Sequence, residues 1–141
     1  MADWDPEAFT RALVADMRAN NGEVTSGPMA GRPLLLLTTS GAKTGEPRTA
    51  ILTFTRDGDR WVVAASKSGA PENPAWYHNL RAEPIVEVEV GGQTFKARAT
   101  ETGPEERERL WARHVAARPE FADYPEKSGR TIPVITLERI A

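Results

Sequence analysis

Two cations, Lys43 and Arg48, share a short segment with three hydroxyls, Ser40, Thr44 and Thr49, and two glycines, Gly41 and Gly45. Glycine lets a backbone reach positive φ and turn its N–H groups outward. Full positive charges beside such dipoles suit a ligand carrying phosphate or carboxylate groups. Apolar runs on either side make the segment a turn between two strands. It is not a nucleotide loop of the GxxxxGK[ST] kind, because that pattern is absent and a strand rather than a helix follows. A plain surface hairpin would also expose two cations; the paired glycines and clustered hydroxyls are what point to an anion site.

A second segment runs Ala64-Ala65-Ser66-Lys67-Ser68-Gly69-Ala70-Pro71-Glu72-Asn73-Pro74-Ala75-Trp76-Tyr77-His78-Asn79-Leu80. A strand of small residues leaves into a Ser/Gly/Pro loop and then a helix rich in aromatics. Small side chains let a flat ring come close to the backbone. Trp76 and Leu80, four apart, read first as core anchors of a short helix, whereas Ser66, Lys67 and Asn79 read as functional. A third segment, Phe121 to Lys127, offers Tyr124, either a proton donor or ring cover or simply a tyrosine packed at a loop hinge. His78 and His114 fall on different helices without a carboxylate at HExxH-like spacing, so no metal site is expected, and the GxSxG nucleophile pattern is absent.

The elements that must position these residues follow from periodicity and turn chemistry. Asp5-Pro6-Glu7 reads as a helix start, with Phe9, Leu13 and Met17 on one face and Asn20-Asn21-Gly22 as its end. A connection through Gly27-Pro28 and Gly31 leads to strands at 34–39 and 49–55. Asp57-Gly58 marks a hairpin into 60–66. Asn73 is the expected cap of a helix that stops before Pro84. Residues 84–90 alternate apolar and acidic, with Glu87 and Glu89 read as a solvated face, and Gly91-Gly92 turns into a strand at 93–100. Thr102-x-x-Glu105 is a capping box, opening a helix with Leu110, Trp111, His114 and Val115 on one side. A loop holding Phe121 and Tyr124 precedes a last strand at 131–137. About six strands joined by hairpins imply an antiparallel sheet closing into a small barrel with flanking helices, an α+β arrangement.

Composition bounds the function. A chain of 141 residues, 40% hydrophobic and 27% charged, fits one globular domain. A net charge of −2 gives no general attraction to nucleic acid or anionic lipid. The absence of cysteine excludes thiol nucleophiles, thiolate zinc and iron–sulfur sites. The apolar run Pro33 to Leu37 is too short to span a bilayer. A cytoplasmic protein with at most transient contact at the inner membrane is expected.

Taken together, T-x-S-G-A-K-T-G-x-P-R, then A-S-K-x-G-A-P-x-N-P-x-W-Y-H-N-L, then R-T-I-P-V-I-x-L strongly resembles the deazaflavin-dependent nitroreductase family from residue 34 onward. The resemblance implies a split β-barrel of the flavin-reductase, FMN-binding type over 34–141, with residues 1–33 as an amphipathic helix and loop of the same domain. It implies coenzyme F-420, an 8-hydroxy-5-deazaflavin with a phospholactyl oligoglutamate tail, and hydride transfer to quinones, nitroaromatics or similar acceptors. Lys43 and Arg48 then meet the tail, with Ala42 and Thr44 supplying backbone groups. Thr49, Ala50, Ile51, Leu52 and Thr53 lie along the cofactor, and Ala64, Ala65, Ser66 and Lys67 border the ring. Ala75, Trp76, Tyr77, His78 and Asn79 match the helix between tail and ring, and Tyr124 matches a late tyrosine near the substrate. Ser66 and Tyr124 are the catalytic candidates, as hydrogen-bond donors to the reduced acceptor. FMN on the same barrel, and a non-catalytic deazaflavin carrier, are the alternatives; a homodimer is compatible with either.

Overall fold

The computed structural model describes residues 6–25 and 30–140; the cap expected at Asp5 and the Gly27-Pro28 turn lie outside them. A single seven-stranded antiparallel sheet runs in the order β2-β1-β5-β6-β7-β4-β3. The strands are β1 (Leu34–Ser40), β2 (Pro47–Thr53), β3 (Thr55–Asp57), β4 (Arg60–Ala64), β5 (Ile85–Val90), β6 (Gln93–Glu101) and β7 (Val134–Arg139). β2 and β3 occupy opposite edges yet are separated in sequence by Phe54 alone. The sheet therefore curls until its two edges meet at that residue, where the Phe54 amide donates to the Pro33 carbonyl at 3.1 Å. The continuous strand expected over 49–55 is thus two strands, because the chain passes there from one edge to the other.

Four consecutive leucines in β1 are buried because both faces of this strand are covered. Leu35 and Leu37 enter the interior core with Val63, Val88, Phe95, Ile135 and Leu137. Leu34 and Leu36 face the other way, against Leu13 and Met17 of α1 (Pro6–Ala19), with Phe9 packed beside them. Helix α1 ends where the sequence places its stop, with Asn21 and Gly22 at positive φ. A side chain at Gly22 would put its Cβ 2.6 Å from the Gly91 amide nitrogen. Arg18 of α1 donates to both carboxylate oxygens of Glu89 at 3.1 Å, so this acidic residue is paired rather than merely solvated.

The remaining helices are α2 (Ala75–Ala82), α3 (Pro104–Ala117) and α4 (Tyr124–Ser128). Leu110 of α3 packs on Val62 and Val134 of the sheet. Segment 119–128, expected as a loop, is a 3-10 turn over Pro119–Asp123 running into α4. Both expected N-caps are displaced by tertiary partners. Asn73 Oδ1 accepts from Arg130 Nη1, and Pro74 occupies the cap position of α2. The Thr102 hydroxyl donates to the Val134 carbonyl, and Gly103 caps α3 without a side-chain bond. The last strand begins at Val134 rather than Thr131, since Pro133 has no N–H for a ladder and the Ile132 carbonyl is taken by Arg107 of α3 at 2.8 Å.

Candidate active site

Two cavities lie end to end along one side of the curled sheet. The first, about 550 Å³, is lined by the turn residues Gly41, Ala42, Lys43 and Thr44, by Arg48, Thr49 and Ala50 of β2, and by Ala75, Trp76, His78 and Asn79 of α2. The second, about 420 Å³, is bounded by Ala50, Ile51, Leu52 and Thr53, by Ala64, Ser66 and Lys67, by Pro74 and Trp76, and by Arg32, Glu120, Phe121 and Tyr124. Ala50 and Trp76 belong to both walls, so the two cavities of this groove adjoin there. One end is cationic; the other carries a serine, a lysine and a tyrosine. Each compartment has the size usual for small-molecule sites.

At the cationic end the β1–β2 turn is held by its own hydrogen bonds. Gly41 N–H donates to the Glu46 carbonyl at 2.7 Å, Gly45 N–H to the Gly41 carbonyl at 2.7 Å, and Glu46 N–H to the Thr44 hydroxyl at 3.2 Å. Only Gly45 of the two turn glycines has positive φ, 72°. Gly41 serves a different need: a Cβ there would fall 2.9 Å from the Thr44 hydroxyl oxygen and 3.3 Å from the Glu46 carbonyl oxygen. The amide of Ala42 is also spent, donating to Asn79 Oδ1 at 2.9 Å. The expected outward display of turn amides is therefore corrected for Gly41, Ala42, Gly45 and Glu46. Ala42 lines the cavity without an amide to offer, while Lys43 and Thr44 occupy the tip. Arg48 lies 3.5 Å from Glu46 in an open ion pair, both side chains more than half exposed, an arrangement that leaves the guanidinium accessible to a competing anion.

Helix α2 fixes the middle of the groove. Trp76 is buried in the core, as its spacing with Leu80 suggests, and also borders both cavities. Asn79 is buried and ties α2 to β1 by donating to the Thr39 hydroxyl at 3.1 Å. His78 is exposed and lines the cationic compartment. Tyr77 lies on the other side of the helix. Its hydroxyl donates to Glu101 at 2.7 Å, and burial, then the Glu101 carboxylate, raises its pKa. Ala65 is fully buried, with its amide on the Pro133 carbonyl. Neither Tyr77 nor Ala65 is among the residues bounding the groove; of the candidate residues, these two are placed behind its wall.

At the far end Ser66 is nearly buried and Lys67 adopts a left-handed backbone, φ 47°, uncommon for a residue with a side chain. Lys67 Nζ reaches Glu72 at 2.9 Å. Across the cavity Tyr124 packs edgewise on Phe121, ring centres 5.0 Å apart. Arg32 and Glu120 approach to 3.9 Å. Sequence reasoning did not single out Arg32, Glu120, Phe121 or Pro74 for this wall. Nor did it assign Arg130, although that arginine opens the R-T-I-P run; its partners lie 57 to 65 residues away. No group of histidine or acidic side chains able to hold a metal occurs among the described residues.

A curled antiparallel sheet with two adjoining cavities, one bordered by Lys43 and Arg48 and the other by Ser66, Lys67 and Tyr124, has the architecture of a split-barrel cofactor-binding oxidoreductase. The family model for the F420H(2)-dependent quinone reductases matches residues 9–139, and the chain belongs to that family. An F420H(2)-dependent quinone reductase of Mycobacterium tuberculosis is 42% identical over 127 residues, 86% of this chain and 84% of the relative. The solved structure of an F420-H2 dependent reductase, FDR-A, superposes with a TM-score of 0.70 at 40% identity, covering 76% of this chain and 95% of that one. A structure described as a domain-swapped dimer matches at a TM-score of 0.72 and 33% identity over 95% of this chain and all of that one. A pyridoxamine 5'-phosphate oxidase-type protein of Listeria innocua shares the fold alone, with a TM-score of 0.55 and 16% identity over 94% of each chain. The chain is accordingly an oxidoreductase dependent on reduced coenzyme F-420, and FMN gives way to the deazaflavin as its cofactor.

Proposed function

We propose that the groove binds coenzyme F-420 lengthwise, with the anionic tail at Lys43 and Arg48 and the ring system beside Ala50, Ala64 and Trp76, and that a quinone enters between the ring and Tyr124. The observation that carries this reading is the meeting of the two compartments at Ala50 and Trp76, one bordered by the cations Lys43 and Arg48 and the other by the small residues Ala50 and Ala64 and the Trp76 indole. Small side chains at Ala50 and Ala64 admit a planar system close to the sheet, and the Trp76 indole offers a face to it. The bound deazaflavin supplies a hydride. The protein's part is to hold the acceptor against the ring, exclude water and oppose the negative charge that grows on the acceptor oxygen.

Ser66 and Tyr124, both on the second compartment, carry hydroxyls able to donate to that oxygen. No side chain acts as a covalent catalyst in this scheme. Nitroaromatics fit the same compartment as flat, electron-poor acceptors. The domain-swapped assembly of a 33%-identical structure supports a homodimer for this chain as well, to be read by light scattering. Among the described residues no helix is long and apolar enough to cross a membrane, and a cytoplasmic site of action is proposed.

The test is fluorescence titration of oxidised coenzyme F-420 followed by stopped-flow mixing of the reduced form with menadione. Quenching on binding and oxidation of the cofactor at the rate of menadione loss are expected. Binding without turnover of any quinone or nitroaromatic would establish a carrier instead.

A further inference from the structure

We propose that Arg130 is a positioning residue for the ring end of the groove, cinching the loop 65–73 so that Ser66 and Lys67 are presented to the cofactor and acceptor. Its Nε donates to the Ala70 carbonyl at 3.2 Å. Its Nη2 donates to the carbonyls of Ala65 at 2.9 Å, Glu72 at 3.0 Å and Ser66 at 3.3 Å, and Nη1 to the side-chain oxygen of Asn73. One planar guanidinium thus gathers five oxygens spread over nine residues of a loop that begins on β4 and ends on α2. Both of those elements contribute groove wall.

The loop needs this restraint. Lys67 is left-handed, a conformation that costs a side-chain-bearing residue free energy and persists only when its surroundings enforce it. The enforcing contacts come from one strap. Gly69, at φ 85°, lies where a Cβ would meet Lys127 Cδ at 2.7 Å and Tyr124 Cδ1 at 3.3 Å, so the loop backbone is seated directly on α4. At the end of α4 Gly129 takes a left-handed cap, φ 70°, and delivers Arg130 back onto the same loop. Tyr124 at the start of the strap, against Gly69, and Arg130 just after its end, on the Ser66 carbonyl, therefore hold the loop at two points. An ammonium could not span the same fan of carbonyls, whose geometry demands the rigid fork of an arginine. The inference rests on the proposed placement of the deazaflavin ring for its functional consequence, but the loop restraint itself belongs to the protein without cofactor.

The decisive comparison is Arg130→Met and Arg130→Lys against wild type, with Val62→Ala as a core variant whose side chain lines neither cavity. In cofactor-free protein, amide hydrogen exchange at Gly69 and Ala70, which donate to the Ser66 and Lys67 carbonyls, should accelerate at least about tenfold in Arg130→Met and nearly as much in Arg130→Lys. Hydride transfer at saturating cofactor should fall on the order of a hundredfold, the cost of a misplacement of about 1 Å, while Val62→Ala loses melting temperature without that rate loss. Lys67→Gly should raise the melting temperature in wild type and have no such effect in Arg130→Met, whose loop has already relaxed. Unchanged exchange at 69–70, or a rate loss in Val62→Ala equal to that of Arg130→Met, overturns the proposal. If Arg130→Met does not fold, Asn73→Ala removes one of the five acceptors, and the same exchange reading decides. Wild-type protein that binds no deazaflavin would refute the functional reading while leaving the exchange result to judge the restraint.

Discussion

The side chain of Asn79 accepts the Ala42 amide at 2.9 Å and, with its other end, donates to the Thr39 hydroxyl at 3.1 Å. One carboxamide thereby fixes the cationic turn to both α2 and β1. Because Asn79 and Thr39 are buried, removing the carboxamide leaves the Ala42 amide without its acceptor and the Thr39 hydroxyl with only its long 3.5 Å bond to the Arg48 carbonyl. Asn79→Ala is expected to cost about 1–3 kcal/mol in urea unfolding. It should also weaken cofactor binding by freeing the turn, even if Asn79 never touches the cofactor. Deazaflavin affinity unchanged in a folded Asn79→Ala protein would show that the turn does not need its tether.

The cations at the groove's end lead to a different signature. Lys43 and Arg48 are surface groups on a turn whose shape is set by other residues, so Lys43→Ala/Arg48→Ala should fold as stably as wild type. Coenzyme F-420 affinity should fall roughly ten- to hundredfold, from two lost charge-assisted contacts. Turnover at saturating cofactor should be nearly unchanged. Wild-type affinity should decline as salt is raised, and the double variant's should do so less. Fluorescence titrations at low and high ionic strength check both points.

These assignments were unevenly visible in the sequence, and the reason is distance along the chain. Asp57-Gly58 and Gly91-Gly92 announce their hairpins because turn chemistry is local, and the observed registers pair Asp57 with Arg60 and Val90 with Gln93. The leucines of β1 announce a strand but not that α1 would cover its outer face. Asn73 and Thr102 carry cap-forming side chains, yet each bonds a group far away, Arg130 and the Val134 carbonyl. Local preference lost to tertiary structure there. The cationic turn was legible as a cluster, but its amides turned inward because Gly41 brings strand ends close enough to satisfy them. Arg32, Glu120 and Phe121 join the second compartment only when the sheet curls.

His114 gives a prediction for acid stability. It is fully buried, its Nδ1 3.0 Å from the Thr55 hydroxyl and its Nε2 without a hydrogen-bond partner. Phe121 meets it edge-on at 4.5 Å. Burial lowers its pKa from 6.5 to about 4, with Glu120 raising it and Arg118 lowering it to lesser degrees. Since the folded value lies below the unfolded one, the unfolded chain binds more protons between pH 6.5 and 4. Stability from this group is full above that window and falls as pH drops through it, by about 3 kcal/mol. Urea midpoints measured from pH 7.5 down to about pH 4 should show the decline, and His114→Leu should flatten it. An equally steep acid limb in His114→Leu would assign the loss to carboxylates instead.

The two hydroxyls proposed to donate to the acceptor can be separated by paired substitutions. Tyr124→Phe keeps the ring that packs on Phe121 at 5.0 Å and removes only the donor. Ser66→Ala removes the other donor while its carbonyl still receives Arg130. Hydride transfer places negative charge on the acceptor oxygen, so the residue that donates there should matter in turnover and little in cofactor affinity or melting temperature. Loss of one such donor costs on the order of a hundredfold in turnover. If Tyr124→Phe shows this loss with menadione and Ser66→Ala does not, the tyrosine is the donor; the reverse result assigns Ser66. If both variants keep wild-type turnover, neither hydroxyl serves, and charge on the acceptor must be met by a backbone amide or by a cation such as Lys67 or Arg32, the two that border the same compartment.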